Sequence, residues 1–253
     1  MTAKQLALGA ALAALIAPSV VTPARAIVGG TPADPALKAH VVEVVSNHGA
    51  CSGVVVGRNL VLTAGHCVDR PGSYAVLVRG GAGPTVVEID GAAIHPAWTR
   101  AHYQQRKPSP DVALVRTRSP LPAQFQPIAL ASAPGLPAAG TPITLAGFGL
   151  AEEGNPRSGG VLRQVPTTVL LRYVTAQVKL APAGSKPAGA CDLDSGGAAL
   201  TREGGKPVLA GIIAWSAGEG GRNCGAASAI TASGAIIDWL PGAAKTLGGR
   251  LGE

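Results

Sequence analysis

The chain has 253 residues, with 21 Lys or Arg, 14 Asp or Glu, a formal net charge of +7 and 47% hydrophobic residues. That length allows one large domain or two small ones, and it can bury roughly 70–75% of the surface an unfolded chain exposes. Charged residues make up only 14%, which excludes a wholly disordered chain, and 35 Gly with 21 Pro and no period exclude collagen and long helical bundles. The basic residues are scattered, without a stripe or interleaved aromatics, so a nucleic-acid-binding module is excluded as well. Aromatics reach only 3%, and aliphatic packing must carry the core.

The N-terminus comes first. Lys4 precedes an apolar run from Leu6 to Ile16, and Ala24-Arg25-Ala26 follows. A basic start, a short apolar stretch and a small-x-small end predict a secretory signal peptide over 1–26, cut after Ala26. The competing reading is an uncleaved anchor, for which the apolar run is short. No later segment has 18 uninterrupted apolar residues. Without Lys4 and Arg25 the net charge falls from +7 to +5.

Export implies an oxidising compartment for Cys51, Cys67, Cys191 and Cys224. Four cysteines allow three pairings, and proximity in sequence suggests Cys51–Cys67 and Cys191–Cys224. Zinc is the lesser reading, because no C-x-x-C spacing supports it.

After residue 26 the pattern is strand-like. Short β-branched runs stand at Val41–Val45, Gly53–Val56, Leu60–Leu62, Tyr74–Val78 and Val86–Ile89. Others follow at Val112–Val115, Ile143–Ala146, Thr167–Leu171, Val208–Ile213 and Ala229–Ile230. Such spacing, without helices between, predicts an antiparallel sandwich or barrel. The Pro- and Ala-rich stretch 120–141 predicts a linker between two halves. One helix is predicted at 233–240, capped by Ser233, with Ile236, Ile237 and Leu240 as its stripe and Pro241 as its stop. The Gly-rich tail beyond Gly242 is predicted to be loose.

Three motifs carry reactive groups: Thr63-Ala64-Gly65-His66-Cys67, Asp111-Val112-Ala113-Leu114, and Asp192-Leu193-Asp194-Ser195-Gly196-Gly197. In chain order they supply His, Asp and Ser. A serine hydroxyl attacks a carbonyl well only when a base takes its proton, and histidine has the pKa for that. A buried carboxylate fixes the imidazole tautomer, and glycines beside the serine free backbone N–H groups for a developing oxyanion. Singly, each motif reads as an ordinary turn or strand end; together they read as a triad.

These motifs resemble the chymotrypsin/trypsin-type serine peptidases. Ile27-Val28-Gly29-Gly30 resembles the family's mature start, and Ala146-Gly147-Phe148-Gly149 its A/T-G-W-G segment, with Phe148 for Trp. Ala214-Trp215-Ser216 resembles its substrate strand, while Thr231 and Trp239 fall at the spacing of its terminal helix. The resemblance covers the chain after residue 26. It implies an all-β, chymotrypsin-like fold of two antiparallel six-stranded β-barrels with a C-terminal helix. The barrels would span about 27–135 and 136–232, before the helix at about 233–240.

The resemblance implies a secreted serine endopeptidase with His66, Asp111 and Ser195 as the triad. The Leu193 and Ser195 N–H groups would form the oxyanion hole. An ion pair would join the Ile27 α-amino group to Asp194, so that signal cleavage alone yields the active terminus. The other reading is an earlier cut that leaves a short propeptide. The same two disulfides follow from the family. Gly189, Ala190, Trp215, Ser216 and Ser228 would form the specificity pocket. Gly189 stands where trypsin-like members carry Asp, and Ser216 and Ser228 replace glycines, so the expected preference is for small or medium uncharged residues. No acidic cluster lies between residues 70 and 92, where some members bind calcium, and neither metal nor cofactor is expected. Expected partners are protein or peptide substrates and protein protease inhibitors, with the enzyme a monomer free of nucleic acid and of membrane.

The chain departs from the family's G-D-S-G-G-P at Leu193 and Ala198, and Ala214 replaces a serine that supports the catalytic Asp. Leu193 matters most, because the glycine there adopts a backbone conformation costly for a branched residue. A flipped peptide would remove one oxyanion donor. That raises the alternative of a catalytically impaired, secreted protein-binding homologue. Asp192 would stand charged beside the site.

Overall fold

In a computed structural model, residues 27–79, 83–105, 107–133, 135–173 and 176–253 are described. The predicted signal segment, residues 1–26, lies outside them.

The first barrel is built from strands whose successive side chains point to opposite faces. Its strands are β2 (Val41–Ser46), β3 (Gly49–Gly57), β4 (Leu60–Thr63), β5 (Tyr74–Val78), β6 (Thr85–Ile94) and β7 (Ala113–Thr117), after the short β1 (Thr31–Pro32). They close antiparallel in the order β2-β3-β4-β7-β6-β5. Alternation sorts the core. Val42, Val44, Val55, Val61, Val76, Ala113 and Val115 pack together. The intervening Val54, Val56, Leu60, Leu62 and Leu114 join a different cluster. A short helix, α1 (Arg100–Gln104), capped by the Thr99 side chain, lies between β6 and β7.

The second barrel contains β8 (Pro142–Gly147), β9 (Arg163–Arg172), β10 (Gln177–Pro182), β11 (Ala198–Glu203), β12 (Lys206–Ala217) and β13 (Ala227–Ala232). Their order is β9-β10-β13-β12-β11-β8, closed by β8 pairing with β9. Val165, Val169, Val178, Leu180, Ile213 and Ile230 form one apolar cluster with Ile27. Ala198, Leu200, Leu209 and Ile212 instead join Leu62 and Leu114 of the first barrel. The outer faces of both barrels thus share one aliphatic core. The two six-stranded barrels are those expected.

Each end of the described chain is fastened to the opposite barrel. Thr31 pairs with Gln164 and Pro32 with Arg163, so residues 31–32 belong with the second barrel and not, as expected, with the first. At the other end, the Gly252 N–H donates to the Val56 carbonyl at 2.9 Å. Arg116 Nη1 donates to the Leu247 carbonyl at 2.6 Å. The tail expected to be loose therefore packs on the first barrel.

The terminal helix is displaced from its expected position. Residues 233–239 form turns, apart from Gly234, which bridges to Gly135, and α2 runs Leu240–Thr246 with Pro241 in its first turn. Proline suits a helix start, where its missing N–H would have had no partner, so Pro241 opens the helix that it was expected to stop.

Candidate active site

Strand register brings His66 to Asp111. β4 pairs antiparallel with β7, Thr63 opposite Ala113. His66 lies three residues beyond Thr63, in the 3-10 turn Gly65–Cys67, and Asp111 lies two before Ala113. The Cys51–Cys67 disulfide fastens that turn to β3. His66 Nδ1 lies 2.7 Å from Asp111 Oδ2, and the His66 backbone N–H donates to Oδ1 at 3.0 Å. Both carboxylate oxygens are thus engaged by one histidine, although Ala214 offers no hydroxyl. The carboxylate side chain is 3% exposed and the imidazole 13%.

Ser195 lines the same cleft, of about 890 Å³, as His66 and Asp111. The Ser52 N–H holds its carbonyl at 2.8 Å. Gly196 has φ +84°, and a Cβ there would overlap the Ser52 carbonyl oxygen, so the position requires glycine. The second disulfide, Cys191–Cys224, ties this loop to the segment before β13.

Leu193 has φ +73°. For a branched L-residue that conformation costs about 1–2 kcal/mol. Its preceding peptide is nevertheless oriented: the Asp192 carbonyl accepts from the Leu150 N–H at 2.9 Å. In a trans peptide C=O and N–H point oppositely, so the Leu193 N–H points away from Leu150. Neither it nor the Ser195 N–H has a protein acceptor among the described residues. The leucine side chain packs with Leu150, Cys191 and Cys224.

Of the expected pocket residues, Trp215 and Ser216 line the cleft. Gly189, Ala190 and Ser228 do not; Ala190 and Ser228 are buried. Ser216 stands opposite Ser228 across β12 and β13. The Ser228 hydroxyl accepts from the Ala190 N–H at 2.9 Å. A Cβ at Gly189 would lie 2.9 Å from that hydroxyl oxygen. Ser228 therefore fills the space that a side chain at position 189 would need.

Four residues at the site, Tyr103, Arg100, Gln177 and Ser52, are missing from the expected set. Tyr103 of α1 stacks on the His66 ring, centroids 4.4 Å apart at 19°. Burial, then the neighbouring Asp111 charge, hold its phenol above the usual pKa. Arg100 pairs with Asp69 and fastens α1 beside the histidine turn. Buried Gln177 donates to the Ser109 carbonyl at 2.9 Å and accepts from Trp215 Nε1 at 3.1 Å. Ser52 donates through its hydroxyl to the Leu193 carbonyl at 3.2 Å. Ser52 falls just before the strand-like run Gly53–Val56, between Cys51 and Gly53, and carries no sequence signal of its own.

Ile27 and Asp194 are both wholly buried. Desolvation pushes the Asp194 carboxyl up to about 7, against hydrogen bonds from the Cys191 and Gly149 N–H groups that lower it. While Ile27 is joined to Ala26, its nitrogen is an amide and brings no charge. Among the described residues two clusters have metal-like proximity, Cys51/His66/Cys67 and Cys191/Asp192/Cys224, but their sulfurs are in disulfides and offer no thiolate.

Known proteins are similar to this chain in sequence and fold. The trypsin family model matches residues 27–240. Human serine protease 56 is 31% identical over 237 residues, which cover 85% of this chain and 38% of that protein. Trypsin iota of Drosophila melanogaster is 26% identical over 192 residues, 69% of this chain and 71% of that one. The chain thus spans well under half the length of the first relative and most of the second. Among solved structures, mouse neuropsin, a serine protease, superposes with a TM-score of 0.70 at 20% identity, over 85% of this chain and 99% of that chain. HBP does so with a TM-score of 0.70 at 22% identity, over 87% of this chain and 97% of that chain. Matched from residue 27 to residue 240 by the family model, this chain belongs to the trypsin family of serine peptidases.

Proposed function

We propose that the chain is a secreted serine endopeptidase that works through an acyl-enzyme intermediate. The observation carrying this is the 2.7 Å contact of His66 with buried Asp111, in the cleft that Ser195 shares. Ser195 Oγ attacks the scissile carbonyl carbon while His66 takes its proton. Asp111 holds the imidazole tautomer and stabilises the imidazolium. The Leu193 and Ser195 N–H groups receive the oxyanion, and His66 then gives its proton to the departing amine. Water repeats the sequence and releases the acid. The steps require no cofactor or metal.

The Ile27 α-amino group, released by cleavage after Ala26, neutralises Asp194 inside the protein. Leaving that carboxylate unpaired would cost several kcal/mol. Substrates are proteins or peptides cut after small or medium uncharged residues, because the Ser228 hydroxyl fills the space beside Gly189. Protein protease inhibitors are the expected natural partners, and the enzyme acts as a monomer outside the cell.

The test is intact-mass analysis after exposure to a fluorophosphonate, with Ser195→Ala as control. One adduct per chain, lost in the control, is expected. A folded chain beginning at Ile27 that takes no label would overturn the reading in favour of a secreted, catalytically impaired binding homologue, the outcome that strain at Leu193 favours.

A further inference from the structure

Two peptide planes meet at Leu193, and its φ of +73° persists only if both are held. The plane before it is fixed by the Leu150 N–H on the Asp192 carbonyl, 2.9 Å. The plane after it carries two bonds. The Asp194 N–H reaches the Cys191 carbonyl at 3.2 Å, a bond within the loop itself. The other comes from the opposite barrel: the Ser52 hydroxyl donates to the Leu193 carbonyl at 3.2 Å.

Ser52 lies in β3 and is wholly buried. Its one hydroxyl proton goes to that carbonyl, and its oxygen accepts from the Phe148 N–H at 2.9 Å. Its own backbone N–H holds the Ser195 carbonyl at 2.8 Å. A single residue therefore grips the loop on both sides of Asp194. The Cys51–Cys67 disulfide beside it keeps β3 on the histidine turn, so the grip is referenced to His66.

We infer that Ser52 is a positioning residue for acyl transfer. Its hydroxyl clamps Leu193 in the left-handed conformation, so that the Leu193 N–H stays aimed into the cleft. A glycine reaches that conformation without help, because it has no Cβ to be strained. Ser52 and Leu193 then form a compensating pair. The role rests on the proposed acyl-transfer chemistry, and it predicts a dependence that simple structural support would not show: the hydroxyl matters only while residue 193 carries a side chain.

The experiment is a double-mutant cycle on the mature enzyme. Ser52→Ala is made in the wild-type, Leu193→Gly and Leu193→Ala backgrounds. In each, kcat is referred to the sites titrated by the fluorophosphonate, so unfolded molecules do not count. In the wild-type background Ser52→Ala should lower kcat about tenfold and leave KM within about twofold, as expected for a contact that serves the transition state. In the Leu193→Gly background kcat should change by less than about twofold. In the Leu193→Ala background, where the backbone strain persists, the loss should return. If Ser52→Ala does not fold, Ser52→Cys, of similar shape with a feeble donor, should give the same order. Equal losses in all three backgrounds, or no loss in the wild-type one, would overturn the pairing of Ser52 with Leu193. A wild-type enzyme that neither labels nor hydrolyses would overturn the underlying chemistry.

Discussion

Asp194 and Ser228 each convert burial into a measurable property. The Asp194 carboxyl, ordinarily at 3.8, is pushed up to about 7 by its burial in the folded, uncleaved chain. Between those values the folded state holds the extra proton, so stability falls as pH rises, and above about 7 the whole penalty is present. In the proposed ion pair, a free Ile27 ammonium would cancel it. The uncleaved chain should therefore lose thermal stability from pH 4 to pH 8 relative to the chain starting at Ile27, with the gap read by parallel melts. At Ser228, removing the hydroxymethyl should enlarge the space beside Gly189. Ser228→Gly is expected to raise kcat/KM for Phe relative to Ala substrates by about tenfold or more, the scale of a few added methylenes. His66, Asp111 and Ser195 were legible from short motifs, whereas Ser52 and Gln177 were not. Their partners lie 141 residues away at Leu193 and 68 away at Ser109, and no local pattern announces such pairings.

The short helix α1 places its aromatic ring in the cleft that His66 and Ser195 line. Tyr103 covers one face of the His66 ring and is itself 36% exposed. A substrate side chain that needs that face must displace it. Tyr103→Ala should therefore raise kcat/KM about five- to tenfold for substrates with a bulky residue one position ahead of the cleaved one, and leave those with glycine there unchanged, within the range of one modest hydrophobic contact. Peptide libraries varied at that position would show it, and an equal gain for both would contradict it. At this scale, the sequence revealed strands through β-branched runs such as Val41–Val45. It concealed β10 and β11, where Ala198-Ala199 and the closing Pro182 dilute the signal. Pro241 misled for a physical reason: the same residue stops a helix from within and starts one from its first turn.

The two barrels hold each other through a shared core as well as a shared cleft. Ser132, Ala133 and Gly135 to Gly140 link them along the surface, and most of these residues are exposed. A single protease nick there should leave both halves associated and Ser195 still reactive, as seen by size-exclusion chromatography and fluorophosphonate labelling. The chain alternates in its loyalties, since residues near 31 belong to the second barrel and residues near 252 to the first. That exchange has a consequence in time. The first barrel is synthesised early, but Gly249 and Arg250, which pack against Leu60 and Gly57, follow the whole of the second barrel. Deleting residues 247–253 should therefore destabilise the half of the molecule farthest from the cut in sequence, with amide exchange quickening in β3 and β4 before β10. A ribosome or a secretion channel that has released only two hundred residues holds a first barrel still waiting for its final strap.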